Sequence, residues 1–283
     1  MQLSTKLSLC FFVSLCLCGI LNGQSARELA KTMFTKTKQI KTLTYTIKKK
    51  ERIDGEMIRQ ISFVKLVREP FKVYIKQDFP NKGMEALYVS GTNNNKALVN
   101  PNGFPWFNIR LDPYGSLMRA NQHHTIHRSG FDYVVSILEY LFDKYDTIID
   151  TMVKKQATVI CDGHACYVIM FSNPYFKFFD YTVRHGETLP AISDRTKLSE
   201  YMILEKNEAV DDYDDINSGQ IIEIPNDYSP KMIIYIDKQR MIPLVMKIYD
   251  DQGLYEQYEY INVVVNPFLK PEEFTKEYEG YGF

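Results

Sequence analysis

Hydrophobic and polar positions change period several times along the chain. Between Ser25 and Thr42 the apolar positions Ala26, Leu29, Ala30, Met33, Phe34, Thr37 and Ile40 recur at helical spacing. Ser25 and Glu28 stand three apart, as a capping box requires. Lys31, Lys36, Lys38 and Lys41 fall largely on the other side, so the segment predicts a helix packed on a core. The period then becomes two. Leu43–Asp54, a turn at Asp54-Gly55 and Glu56–Arg68 predict a long hairpin. On its second strand Met57, Ile61, Phe63 and Val67 share one face, interrupted by Arg59 and Lys65, while Ile58, Val64 and Leu66 share the other. A sheet wet on one side alternates more cleanly. Apolar residues on both faces imply that one packs on a helix and the other lines a cavity or faces a second sheet.

Short strands are predicted at Phe71–Gln77, Ala86–Val89 and Lys96–Val99. Turn formers dominate 100–113, which also holds the sole tryptophan, Trp106, between Phe104-Pro105 and Phe107. A helix follows at about 131–144, with Val134, Val135, Leu138, Leu141 and Phe142 on one side. Strands are predicted at Ala157–Ile160, Cys166–Phe171, Phe176–Arg184, Ser199–Glu205 and Gln220–Ile224, with an acidic loop at 208–215. The end reads as a meander of Lys231–Asp237, Ile242–Tyr249 and Leu254–Val265. Strands in sequence, two helices and no βαβ alternation predict an antiparallel α+β fold in one domain spanning 24–283.

The first residues follow another logic. Lys6 precedes an uncharged, mostly apolar run from Leu7 to Leu21, the pattern of a secretory signal peptide, with cleavage expected after Gly23. The run is shorter than the roughly 20 residues of a membrane-spanning helix. Leucines precede Cys10, Cys16 and Cys18, so no lipobox is present and a periplasmic or otherwise secreted location is expected. No later stretch is apolar enough to span a membrane.

Composition narrows the classes further. Of the 283 residues, 34 are Lys or Arg and 35 are Asp or Glu, so bulk charge attracts neither nucleic acid nor an anionic membrane. Hydrophobic residues at 45% exclude a disordered chain. Three of the five cysteines lie in the leader, leaving Cys161 and Cys166. Export to an oxidising compartment predicts that these two form a disulfide across a hairpin turn containing Asp162-Gly163. His164 alone does not complete a zinc site with them, and their spacing is not the two-residue one of redox pairs.

Candidate chemistry is sparse. His123 and His127 are four apart and would share one face of a helix, yet position 124 is His where a zinc hydrolase motif needs Glu. Arg119 and Arg128 flank them and would oppose a cation, so the segment reads as polar structure without a metal. The Asp211–Asp215 run lacks the order of a calcium loop. Neither a nucleophile elbow nor a phosphate-binding glycine loop occurs. Lys48-Lys49-Lys50 with Arg52 reads as a solvated edge. No enzyme activity and no cofactor are implied.

Several segments together resemble a known group: Arg68-Glu-Pro-Phe-Lys-Val-Tyr74, Asn100-Pro-Asn-Gly-Phe-Pro-Trp106, Asn121-Gln-His-His-Thr125, and the final meander with Tyr235-Ile-Asp237, Pro243, Tyr249-Asp-Asp251-Gln-Gly253 and Asn266-Pro267. The chain is similar over nearly all of 24–283 to an uncharacterised secreted family of Bacteroidetes-type bacteria, related to the lipoprotein-carrier superfamily of LolA, LolB and RseB. The resemblance implies a half-open antiparallel β-barrel, a strongly curved sheet with helices plugging its concave face. In characterised relatives that cavity holds acyl chains or binds a signalling partner, and no catalytic residues carry over. The segments 101–145 and 184–228 are extra to the carriers and are placed to close or reshape the cavity. Alternation alone nominates Ile47, Ile61, Phe63, Tyr74 and Met246 as cavity liners, with Trp106 as a further ligand contact. The function expected is a non-catalytic periplasmic carrier of a lipid or lipid-modified partner. The alternatives are an envelope protein-interaction module that docks through Phe104–Phe107, and, remotely, a metal-assisted hydrolase using His123 and His127.

Overall fold

Ser25 caps the first helix, α1 (Ala26–Lys38), from both sides: the Glu28 amide donates to Ser25 Oγ at 3.1 Å and the Ser25 amide donates to Glu28 Oε2 at 2.8 Å. The computed structural model describes residues 23–283, so the expected signal peptide at 1–23 lies almost wholly outside the described residues. Leu29, Ala30 and Met33 are fully buried, and Phe34 meets Phe142 edge-on at 5.3 Å, as the helical stripe requires.

Two long strands follow, β1 (Thr42–Ile53) and β2 (Glu56–Val67), joined at Asp54-Gly55, where both residues have positive φ. Next come β3 (Lys72–Phe79), β4 (Glu85–Val89), β5 (Ala97–Asn100) and β6 (Ile109–Leu111). The connection to the second half carries α2 (Ser116–Arg119), α3 (Asp132–Lys144) and α4 (Ile149–Met152). The hairpin β7 (Val153–Cys161) and β8 (His164–Ser172) leads to β9 (Phe178–Thr182), α5 (Leu189–Thr196), α6 (Glu200–Lys206) and β10 (Ile221–Pro225). The meander β11 (Lys231–Asp237), β12 (Pro243–Asp250) and β13 (Gly253–Val265) closes the chain's strand content.

Eleven of these strands form one sheet in the order β6-β5-β4-β3-β2-β1-β13-β12-β11-β8-β7, with every neighbouring pair antiparallel. Pairing of β1 with β13 brings the first and last strands of the described residues together at the sheet centre. The expected α+β class with a large antiparallel sheet and few helices is therefore correct. The strongly curved half-barrel is not: β6 and β7 are separate edges of an open sheet, which is neither closed nor strongly curled.

One face of β2 and β3 packs on helices, as expected, but the other neither lines a cavity nor meets a second sheet. Helices α1 and α3 cover one face, in a core that includes Leu43, Leu66, Ile137, Leu138 and Met246. On the other face the C-terminal segment lies over Tyr74 and Leu87, burying Phe274 and stacking Tyr281 on Tyr74 at 3.8 Å. No second sheet is needed there.

The strand expected at Ser199–Glu205 is α6. The Ser199 hydroxyl accepts from the Met202 amide, so this short apolar run starts as a capped helix. With β9, α5 and β10 it forms a small unit whose own core contains Leu189, Ile192, Ile203, Ile222 and Ile224. The unit lies within the stretch expected to form one domain.

Cys161 and Cys166 are free thiols, contrary to the expected disulfide. The turn between them is the two-residue Asp162-Gly163, so Cys161 stands opposite His164 and Cys166 opposite Val159. The cysteines are diagonal neighbours. Their thiols face each other within hydrogen-bonding reach, with no bond between the sulfurs.

Candidate functional site

A cavity of about 560 Å³ lies between the sheet and the 117–134 segment. Its floor is formed by one face of β1–β5, through Ile47, Ile58, Val64, Ile75, Ala86 and Val99. Leu117, Met118, Ile126 and Val134 line the other side. This volume falls within the 300–1,000 Å³ typical of small-molecule sites. Lys49, Glu51, Gln122 and Tyr258 meet in the wall through hydrogen bonds and an ion pair, and further polar side chains, Gln60, Ser62, Gln77, Asn81, His124 and Arg128 among them, also line it.

Of the five residues nominated from alternation, and Trp106 beside them, the structure brings only Ile47 to this cavity wall. Ile61 and Phe63 lie one residue out of phase with the lining positions Ser62 and Val64, and Phe63 is 38% exposed. Tyr74 is likewise out of phase with Ile75 and sits under the C-terminal segment. Met246 is fully buried in the helix-covered core. Trp106 is 81% exposed and lies outside this cavity's lining. With both faces apolar, period two does not say which set faces the ligand side. The C-terminal segment decides it by covering the Tyr74 face.

Behind the polar wall is a charge cluster that pattern reading missed. Glu51 on β1, His123 in the 117–134 segment and Glu256 on β13 are all fully or almost fully buried. Strand pairing aligns Glu51 directly with Glu256. His123 Nδ1 lies 2.9 Å from Glu256 Oε2, and His123 Nε2 lies 2.9 Å from the Arg52 carbonyl. Its ring is sandwiched between Tyr255 at 4.1 Å and Tyr201 at 4.7 Å. Glu256 Oε2 also faces His124 Nε2 at 3.1 Å, and the Tyr228 hydroxyl donates to Glu256 Oε1 at 2.8 Å. The Tyr258 hydroxyl stands 2.6 Å from Glu51 Oε1 and 2.9 Å from Glu256 Oε2.

Burial pushes the Glu256 carboxyl up, but the adjacent His124 and His123 outweigh it and hold the group well below the usual carboxylate range. Glu51 is also lowered, burial being outweighed by Lys49, the two histidines and the Tyr258 hydrogen bond. Burial disfavours the charged His123, yet its bond to Glu256 and the two carboxylates raise it overall.

The expected His123/His127 pairing does not form. The segment contains a 3₁₀ turn at Ile126–Arg128 rather than an α-helix through both residues. His127 points into an aromatic nest of Tyr88, Phe71 and Tyr114, where burial lowers its pKa. The flanking arginines are engaged elsewhere. Arg119 pairs with Glu200 and stacks on Tyr213, and Arg128 pairs with Glu200 and Asp194. Arg52, expected on a solvated edge, is buried in an ion pair with Asp250 on a central strand. A sequence signal for the cluster existed in Tyr255-Glu256-Gln257-Tyr258, a glutamate set among strand aromatics. Its partner Glu51 was masked by the adjoining lysines.

Residues 40–176 match the family model described as a protein of unknown function, DUF1571. Residues 181–225 match the LysM domain model, coinciding with the small unit that has its own core. No curated protein matches. Among solved structures, the chain is similar to the lipoprotein LppX of Mycobacterium tuberculosis, at 11% identity and TM-score 0.41, covering 87% of this chain and 97% of that one. A LolA superfamily protein from Nitrosomonas europaea matches at 11% identity and TM-score 0.34, covering 90% and 100%. The Pseudomonas aeruginosa MucA/MucB complex matches at 9% identity and TM-score 0.39, covering 88% and 60%. No helix among the described residues is long and apolar enough to cross a membrane.

Proposed function

We propose that this chain is an exported, non-catalytic binding protein that holds the apolar part of a lipid or lipid-modified partner in the cavity over β1–β5. The observation that carries this reading is the cavity itself, whose lining surface is mostly apolar, with Ile, Val, Leu, Met and Tyr side chains at about half of its positions. A pocket with apolar walls and a few convergent polar groups at one place suits an amphiphile. The leader sequence supports a periplasmic location, and residues 24–283 make one domain that carries the 181–225 unit.

The test is uptake of a fluorescent fatty acid by the purified protein, with mass spectrometry of protein recovered from its own envelope. Native protein is expected to bind the probe and to carry acyl species. Ile47→Trp fills the cavity and should weaken uptake at least about tenfold, while Phe63→Ala, on the other face, should leave it unchanged. Empty protein that takes up no probe overturns the reading.

A second reading, an envelope protein-interaction module, draws on the aromatic loop. Phe104, Trp106 and Phe107 are 85%, 81% and 64% exposed. Exposed aromatics of this kind are suited to a contact surface. Photocrosslinking from position 106 in cells should yield one specific partner, and a diffuse background counts against it.

A further inference from the structure

Hydrogen bonding alone does not satisfy the buried Glu51–His123–Glu256 cluster. The Arg52 carbonyl can only accept, so His123 Nε2 must carry a hydrogen and donate it there. Protonated, the ring donates from Nδ1 to Glu256 Oε2; neutral, it presents a lone pair there to another acceptor. The Tyr258 hydroxyl has one hydrogen but faces a carboxylate oxygen on each side. Glu51 Oε2 is buried with no hydrogen-bond partner among the described residues, and Lys49 Nζ stands 3.6 Å away. Glu256 is met by Tyr228 and His124 as well, so the oxygen left without a hydrogen is Glu51 Oε2. An unsatisfied buried carboxylate oxygen is costly.

One ligand atom from each of Glu51, His123 and Glu256 lies within 4.8 Å of the others. Ligands about 2.0–2.2 Å from one metal ion are roughly 3–3.5 Å apart, so small side-chain shifts would enclose one. The His123 Nε2–H bond to a backbone carbonyl is the support that orients a ligating imidazole and leaves its other nitrogen free. Arg119 and Arg128 are tied to Glu200 and Arg52 to Asp250, so the cation that an ion would displace is Lys49, 3.6 Å from Glu51 Oε2, which also reaches Gln122 Oε1 at 3.2 Å. Glu51 also lines the cavity, which supplies an entry path and an open coordination position.

We propose that Glu51, His123 and Glu256 bind a divalent first-row transition-metal ion of the Zn²⁺ class in the cavity wall. The donor set of one imidazole nitrogen and two carboxylate oxygens suits that class. The site is independent of the acyl-binding reading and can stand or fall without it.

The full chain, stripped with a chelator and dialysed, is titrated with Zn²⁺ in competition with a chromophoric chelator. One equivalent is expected to bind. Glu51→Gln and His123→Gln should each weaken it at least about tenfold, and His127→Gln should leave it unchanged. Imidazole ¹⁵N NMR of the unmutated protein provides a readout that needs no variant: Zn²⁺ should shift the His123 Nδ1 resonance and leave that of His127 in place. Absence of binding, equal affinity in the Glu51 and His123 variants, or an unmoved His123 resonance each overturns the proposal in favour of a proton shared between His123 and the carboxylates.

Discussion

At the scale of single residues, burial decides which charged groups matter. The Arg119 and Glu200 side chains are 1% and 0% exposed, and Glu200 also holds Arg128, so removing the carboxylate strands Arg119 without water. Glu200→Ala should cost about 3–5 kcal/mol in chemical denaturation. Lys38 pairs with Glu139 while 62% exposed, and Lys38→Ala should change stability by less than about 1 kcal/mol. The thiols give a pH-dependent counterpart. Burial, with the neighbouring Cys161 and Asp237, pushes the Cys166 thiol up to about 12. Its thiolate is scarce in the folded state at pH values where an unfolded cysteine, with a pKa of about 8.5, already ionises. Alkylation of native Cys166 should therefore remain slow at pH 9 and become fast on unfolding at the same pH. Rapid labelling of the folded protein, read by peptide mass spectrometry, contradicts this.

At the scale of elements, some starts and stops follow directly from local chemistry. The Ser25/Glu28 box was visible as two letters three apart and forms as both hydrogen bonds. Ser25→Ala should lower stability by about 1 kcal/mol in a urea melt. The hairpin turn at Asp54-Gly55 was equally legible, because few residue pairs accept positive φ in succession. Ser199–Glu205 was not. Its apolar run is short enough to suit either period, and the deciding contacts are the Ser199 cap and burial of Ile203 in the second core. Strand faces failed for a related reason. Ile61, Phe63 and Tyr74 obey period two as well as Ser62, Val64 and Ile75 do, and only the distant C-terminal segment distinguishes the two sets.

At the scale of the whole molecule, the 178–225 unit leaves and returns at one place. Phe178 pairs with Pro225, and Lys177 and Asn226 exchange hydrogen bonds beside them. It holds to the main sheet through Glu200 with Arg119 and Arg128, Ser199 with Tyr255, and Tyr201 with Asp54. Replacing 178–225 by a short Gly-Ser linker should leave a cooperatively folding main sheet, at lower melting temperature because those partners are lost. A non-cooperative melt by circular dichroism would show that the two cores are one folding unit.

The sequence by itself determined the class of fold, the first helix with its cap, the long hairpin and the closing meander. These depend on residues near one another in the chain, where period and turn chemistry act. Tertiary structure alone decided the rest. Pairing of β1 with β13 sets Glu51 against Glu256, residues separated by most of the chain, and the 117–134 segment brings His123 between them. Packing of the C-terminal segment selects the face that bounds the cavity. No local pattern encodes such meetings, because the cost of burying a carboxylate depends on which distant groups arrive to share its burial.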